Sequence, residues 1–309
     1  MLLKQFPDIQ WLKRKIREDF SDRTAVNDMP LERSGWPTVV LNTAVKHTER
    51  LDIKGSFSLF FNQSGKSQVR VDGKEQHIHE QCYGLSNAGQ HYDLLIDEAR
   101  PTETLNLHFG QHFFQQSVTA LAKSHEALLD NPFSTDSQEL NLLIGTRLKT
   151  EALSSKLQQL LISYQQPDTV AEEEILFEIL SLVLSSHSRE IQRSALLPIK
   201  SKTSRLEVVH RLMQGRELLH ARFDQTVALD ELSKVSCLSK FHFLRLFKQF
   251  FGVTPHQYQQ QLRLERAKAL YREGHSLEVI ASYIGMENGS SVSRLFRKQT
   301  GAYPSQQLQ

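Results

Sequence analysis

The hydrophobic pattern changes character three times along the chain. Between residues 36 and 109, short apolar runs such as FSLFF (57–61) and SQVRV (67–71) alternate with the turn-forming stretches NQSGK, DGKE, NAG and DEARP. Runs of this length, rich in aromatic and β-branched residues, predict strands of a small sandwich or barrel. Ahead of them, Asp8 to Phe20 predicts a short helix. From about Phe113 to Ile191 the period becomes helical. In VAEEEILFEILSLVLSSHSREI, Ile175, Ile179, Leu182 and Val183 form a 3.6-residue stripe, and Leu176, Leu180 and Leu184 widen it beyond one face. The second row fits either contact with another subunit or burial inside its own domain. LLPIKSKTS (196–204) combines Pro, Lys and Ser without periodicity and reads as a linker. Everything after it has a helical pattern.

Within that last region one segment occurs twice. RLFKQFFGVTP (245–255) and RLFRKQTGAYP (294–304) share Arg, Leu, Phe, Gly and Pro in register, 49 residues apart, and Arg297 stands where Lys248 does. In the first copy Ser239 suits an N-cap and Gly252 a stop, with Pro255 beyond. Phe243, Leu246, Phe247 and Phe250 then form the buried face, leaving Lys240, Phe241, Leu244, Arg245 and Lys248 outward. In the second copy Val292, Leu295, Phe296 and Gln299 are expected inward, with Ser290, Ser293, Arg294 and Arg297 outward. A shorter helix precedes each copy. Ala281 and Gly285 sit in the second lead-in and turn, and Ser233 and Cys237 in the first. Helix, tight turn and cationic second helix make a helix-turn-helix pattern, which places its second helix in a DNA major groove. The stretch between the copies reads as one long helix contacting the core through Tyr258, Leu262 and Leu270. Its span from Pro255 to Leu270 is roughly 24 Å at 1.5 Å per residue.

Charge sharpens this picture. The 309-residue chain carries a net charge of only +2, but residues 200–309 hold 17 Lys and Arg against 9 Asp and Glu, a net +8. The other 199 residues hold 20 against 26, a net −6. A basic rear third points to a polyanionic partner for that part alone. Length suits two domains. The two cysteines, Cys82 and Cys237, lie far apart and suggest a reducing cytosol, not a disulfide framework. The N-terminus alternates charged and apolar residues, unlike a secretory signal, and the longest uncharged helical stretch is too short for a bilayer.

HFLRLFKQFFGVTPHQYQQQLRLERAKALY, then SLEVIASYIGM, then SRLFRKQTGAYP resemble the DNA-binding domain of the AraC/XylS family of bacterial transcription regulators. The resemblance covers about Arg205 to Gln309. It implies a seven-helix, all-α domain with two helix-turn-helix units joined by a rigid helix. The implied recognition helices are about Ser239 to Phe250 and Ser290 to Gln299. Base-facing positions would be Lys240, Phe241, Leu244 and Arg245 in the first, and Asn288, Gly289, Ser290, Ser291 and Arg294 in the second. Lys248, Arg297 and Lys298 fit phosphate contacts better than base contacts. An alternative makes Arg245 or Arg294 a structural cation paired with Glu231 or Glu278. Met286, Ser291 and Val292 depart from the family's aromatic preference. The small residues of NGSS offer little base readout, so the first unit is expected to carry more specificity.

VDGKEQHIHEQCYGLSNAGQHYDLLI resembles, more loosely, the cupin-like sensor domain that often precedes this DNA-binding unit. The resemblance implies an N-terminal β-barrel (a cupin-like jelly roll) that holds a small-molecule effector, with a dimerising helical extension. The expected division is residues 1–195 for this domain, 196–204 for the linker and 205–309 for the DNA-binding domain. The expected protein is a cytoplasmic, homodimeric regulator of transcription with double-stranded DNA as partner and RNA polymerase as a further contact. It is not expected to be an enzyme or to hold a cofactor or metal. Two alternatives stand beside this. The front domain could only dimerise, its interior filled by side chains. It could also be a metal-dependent cupin enzyme anchored to DNA, with His77 and His79 on one strand face and His91 and His108 nearby. The spacing of those histidines departs from the catalytic cupin pattern and no acidic ligand is well placed.

Overall fold

The computed structural model describes residues 2–6, 38–122, 141–165 and 172–307. The helix expected at Asp8 to Phe20 lies outside them. The chain divides into two compact units, residues 1–187 and 188–309.

The first unit is built on one largely antiparallel sheet, with a single parallel pairing at its first strand, organised around a single long strand. Its strands are β1 (Leu2–Leu3), β2 (Val39–Lys54), β3 (Phe57–Ser64), β4 (Ser67–Val71), β5 (Lys74–Ile78), β6 (Cys82–Ser86), β7 (His91–Phe109) and β8 (Arg147–Leu148). β7 pairs β2 along most of its length. On its other edge its C-terminal half pairs β3 and its N-terminal half pairs β4. Register shifts between Val45 and His47, and between Arg50 and Ile53, mark where β2 bends. Two half-sheets result, one continuing through β3, β6 and β8 and the other through β4 and β5. They meet at Gln76. Its side-chain amide, fully buried, accepts from the Leu85 N–H and donates to the Leu85 carbonyl, both at 2.9 Å. Gly84 permits this approach, since a Cβ there would lie 2.9 Å from Gln76 Oε1.

The faces of β3 and its neighbours differ. One carries Phe57, Leu59, Phe61, Leu105, Leu107 and Phe109, all buried. Phe57 stacks on Phe114 of helix α1 (Gln111–Ala122), ring centroids 4.5 Å apart. The same core takes in Leu153, Leu157 and Leu160 of α2 (Glu151–Ser163) and Ile175, Leu176, Ile179 and Leu180 of α3 (Glu172–Ala195). Both apolar rows of α3 are therefore largely buried within one copy of the chain, the second of the two readings of that helix. The region expected to be helical from Phe113 to Ile191 also contains β8, which pairs Leu148 with Cys82. Arg147 is buried there because its guanidinium donates to the carbonyls of Gly145 (2.8 Å) and Leu143 (2.7 Å).

The second unit is helical, as its pattern predicts. Among the described residues it holds, after the end of α3, seven helices. They are α4 (Lys202–Ala221), α5 (Leu229–Val235), α6 (Lys240–Phe251), α7 (Pro255–Arg272), α8 (Leu277–Tyr283), α9 (Gly289–Thr300) and α10 (Pro304–Gln307). Only residues 196–201 separate α3 from α4, and Ser201 caps α4 by accepting from the Ser204 N–H. No helix among the described residues is long and apolar enough to cross a membrane.

Candidate nucleic-acid interface

Local chemistry fixes both outward-facing helices at each end. Ser239 Oγ accepts from the His242 N–H at the start of α6, and Asn288 Oδ1 accepts from the Ser291 N–H at the start of α9. Gly252 and Gly301 close the two helices with φ of 81° and 80°, a left-handed turn that favours glycine. Each helix has 12 residues and the two N-caps are 49 positions apart.

The buried face of α6 is Phe243, Leu246, Phe247 and Phe250, each with no exposure. It packs so closely on α4 that a Cβ at Gly215 would meet the Phe243 ring at 2.6 Å. The buried positions of α9 are Gly289, Val292, Leu295 and Phe296. Gln299, expected inward, is exposed instead. It sits in the last turn, beyond the patch that α7 and α8 cover. Gly289 is packed against α8, where a Cβ would lie 2.6 Å from Glu278 Oε1.

The outward face of α6 presents Lys240, Phe241, Leu244, Arg245 and Lys248, all exposed. Phe241 is 87% exposed, which costs apolar hydration unless a partner covers it. Lys240 pairs with Asp230 of α5. Glu231 is engaged by Arg222 at 3.0 Å and by the Ala228 N–H at 3.1 Å, so Arg245 has a different setting from the ion pair considered above. On α9, Ser290, Arg294, Arg297 and Lys298 are exposed and Ser291 is half-buried. Arg294 donates to Ser291 Oγ at 3.0 Å, and Ser291 Oγ bonds Asn288 Oδ1 at 3.1 Å. Arg297 donates to the Tyr303 hydroxyl at 3.0 Å and lies 5.4 Å from that ring's centroid, which holds its guanidinium in place.

The two helix pairs are joined by more than α7 alone. α7 spans 18 residues, roughly 27 Å. Its Gln259 amide donates to the carbonyls of Arg222 (3.1 Å) and Gln225 (2.8 Å). Arg263 donates to those of Phe223 (2.7 Å) and Gln225 (3.0 Å). The segment leading into the first pair is thus clamped to the connecting helix. Gly285, in the turn of the second pair, abuts the same segment at the Asp224 carbonyl. Sequence reasoning missed this clamp, because polar residues on a helix read as a solvated face.

The histidines of the first unit have separate partners. His77 lies 3.9 Å from Glu75, His91 bonds Asp52 at 2.5 Å, and His108 bonds Ser58 Oγ at 2.8 Å. His79 falls just past the end of β5 and bonds Gln81 at 3.1 Å, so it does not continue the strand face of His77.

Residues 232–309 match a helix-turn-helix domain family. The chain is 34% identical over 116 residues to the probable transcriptional regulator LumQ of Photobacterium leiognathi, covering 37% of this chain and 45% of that protein. It is 33% identical over 127 residues to the MmsAB operon regulatory protein of Pseudomonas aeruginosa, covering 40% and 39%. The chain therefore spans less than half the length of these curated relatives. Over 255 residues it is 25% identical to the HTH-type transcriptional regulator YisR of Bacillus subtilis, covering 80% and 84%. Among solved structures it is similar to ToxT of Vibrio cholerae, with 13% identity, 88% of this chain and 96% of that chain covered, and a TM-score of 0.34.

Proposed function

Because the chain belongs to the AraC family of transcription regulators through its helix-turn-helix domain, we propose that it is a sequence-specific DNA-binding regulator whose first unit answers to a small molecule. The observation that carries this reading is the duplicated outward face. Two capped helices of equal length present cations, and on α6 two apolar side chains, in a unit of net positive charge.

In this reading α6 lies in one major groove. Arg245 reaches guanine, Phe241 and Leu244 meet thymine methyls, and Lys240 exchanges Asp230 for DNA. On α9, Ser290, Ser291 and Arg294 face bases. Lys248, Arg297 and Lys298 hold phosphates and set position more than sequence. The poorer donor set of α9 leaves most of the specificity to α6. The functional division is residues 1–195 for sensing and dimerisation, 196–204 for the linker and 205–309 for DNA. The half-sheets that meet around Gln76 support a cupin-like barrel. Its role is regulatory, not enzymatic, acting in the cytoplasm as a homodimer that meets RNA polymerase at the promoter.

The test is fluorescence anisotropy with labelled DNA from upstream of the protein's own gene and a scrambled duplex of equal length, over a range of salt. The proposal expects the promoter to bind roughly 1,000-fold or more tighter at physiological salt. Equal affinities for both duplexes at every salt concentration would refute it.

A further inference from the structure

The stretch that leads into α4 is anchored to the second unit, not strung loosely before it. Residues 188–201 belong to that unit. Glu190, near the end of α3, pairs with the buried Arg216 of α4 at 3.4 Å. Ser194 and Leu197 are buried. The Leu196 carbonyl accepts from the Gln249 side-chain amide of α6 at 2.8 Å, and the Ile199 carbonyl accepts from Arg205 at 3.2 Å. Between these anchors the Ile199 N–H donates to the Leu197 carbonyl at 2.7 Å, which closes a tight turn. The stretch is thereby held beside the C-terminal turn of α6.

Its charge is one-sided. Residues 191–206 include Arg193, Lys200, Lys202 and Arg205 and no Asp or Glu. Arg193, Lys200 and Lys202 are exposed, and none of the three has an acidic partner among the described residues. Other cations of the unit are neutralised locally, Lys240 by Asp230, Arg211 by Glu207 and Arg222 by Glu231. Like charges held on an anchored stretch repel one another, and a polyanion relieves that repulsion. Position indicates which polyanion. Gln249, the anchor, directly follows Lys248, which the reading above sets on a phosphate. A major groove is about 12 Å wide, so a helix inside it has a phosphate wall on each side. Lys200 is four residues beyond Leu196, at most roughly 14 Å of chain, which is about one groove width.

We propose that Arg193, Lys200 and Lys202 form a further DNA-contacting surface, outside both helix-turn-helix units, that grips the phosphates flanking the groove α6 enters. Lysine offers a point charge to a phosphate, so this surface adds affinity and register without choosing bases. Because the stretch is already anchored, it loses less freedom on binding than a loose basic arm would. The inference rests on the reading of the second unit as a DNA-binding unit.

The test is fluorescence anisotropy of the full-length protein with the labelled upstream duplex and the scrambled one, from about 50 to 200 mM salt. Lys200→Ala combined with Lys202→Ala should melt at the wild-type temperature and bind both duplexes more weakly. Its salt slope should fall by about two, so the fourfold rise in salt costs it about tenfold less affinity than it costs wild type. Lys54→Ala combined with Lys74→Ala removes the same charge from exposed positions of the first unit and should leave the slope unchanged. A wild-type slope in the first variant, or an equal fall in the second, overturns the proposed contact and leaves the DNA-binding reading standing. Weakening on the upstream duplex alone would make the lysines base readers and overturns it as well. Wild-type protein that binds neither duplex overturns both readings.

Discussion

Gly285 and Cys237 occupy the same place in the two helix-turn-helix turns, and the structure predicts unequal responses to substitution. Both have positive φ, 66° at Gly285 and 49° at Cys237. In Gly285→Ala the new Cβ would sit 1.5 Å from the Asp224 carbonyl oxygen and 2.4 Å from its carbon. An ordinary contact needs about twice that separation, and Asp224 cannot easily retreat because Gln259 and Arg263 hold its neighbours on both sides. The left-handed backbone costs about 1–2 kcal/mol for a residue with a Cβ. Forced overpacking adds about 1–3 kcal/mol. The expected loss is about 2–5 kcal/mol. Cys237→Gly relieves a left-handed strain of about 1 kcal/mol but loosens the unfolded chain by about 0.4–1 kcal/mol, so the two nearly cancel. The assay is urea unfolding with two probes. The sheet's ellipticity reports the first unit, which holds the described strands, whereas helical ellipticity weights the second. Gly285→Ala should shift the helical transition and leave the sheet transition in place. If Gly285→Ala unfolds within about 1 kcal/mol of wild type, the close approach to Asp224 is wrong.

Other outcomes follow from the same geometry. Above pH 6.5 His108 is uncharged in both folded and unfolded states. Between about pH 6.5 and 4 the unfolded chain takes up the proton and the folded one does not, so stability falls as pH falls through that window by up to about 3 kcal/mol. Urea titrations followed by the sheet's ellipticity should show this slope, and His108→Gln should flatten it. Arg245→Ala should lose about 1–3 kcal/mol on the preferred DNA and relax the base choice at one position. Lys248→Ala should weaken all sequences alike and lower the salt slope by about one. Both are read by anisotropy, and the reverse pattern would exchange the two roles. Gln76→Leu leaves the Leu85 N–H and carbonyl unpaired between the half-sheets. It should cost about 2–4 kcal/mol in the sheet transition, and a neutral result would remove Gln76 as the bridge.

What could be read from the chain depended on whether short-range chemistry or long-range pairing decided each feature. Helices α6 and α9 were legible because caps, stops and a four-residue apolar stripe all lie within 14 positions, and each acts locally. Gln299 misled because a 3.6-residue period continues to the end of a helix whether or not a neighbour covers the last turn. The two-residue β8 left no periodic signal, and only its partner β6 makes it a strand. The clamp of Gln259 and Arg263 depends on which carbonyls lie opposite α7, which no spacing reveals. The polar face of the sheet did leave a trace. Thr104 to Phe109 reads TLNLHF, polar and apolar in strict alternation, yet both sets are largely buried. Alternation alone suggests a solvated face, and only the roof of β4, β5 and Tyr92 turns it into an interior.

The central claim is that two similar helices read two segments of one DNA face. The most direct measurement is selection of binding sites from a random duplex library by the full-length protein, followed by footprinting of the enriched sites. The account predicts, for each bound second unit, two blocks of base preference centred about 10 base pairs apart, the first block the more stringent and lost in Arg245→Ala. A library that returns no enriched sequence, or a single block unaffected by substitutions in either helix, would contradict it.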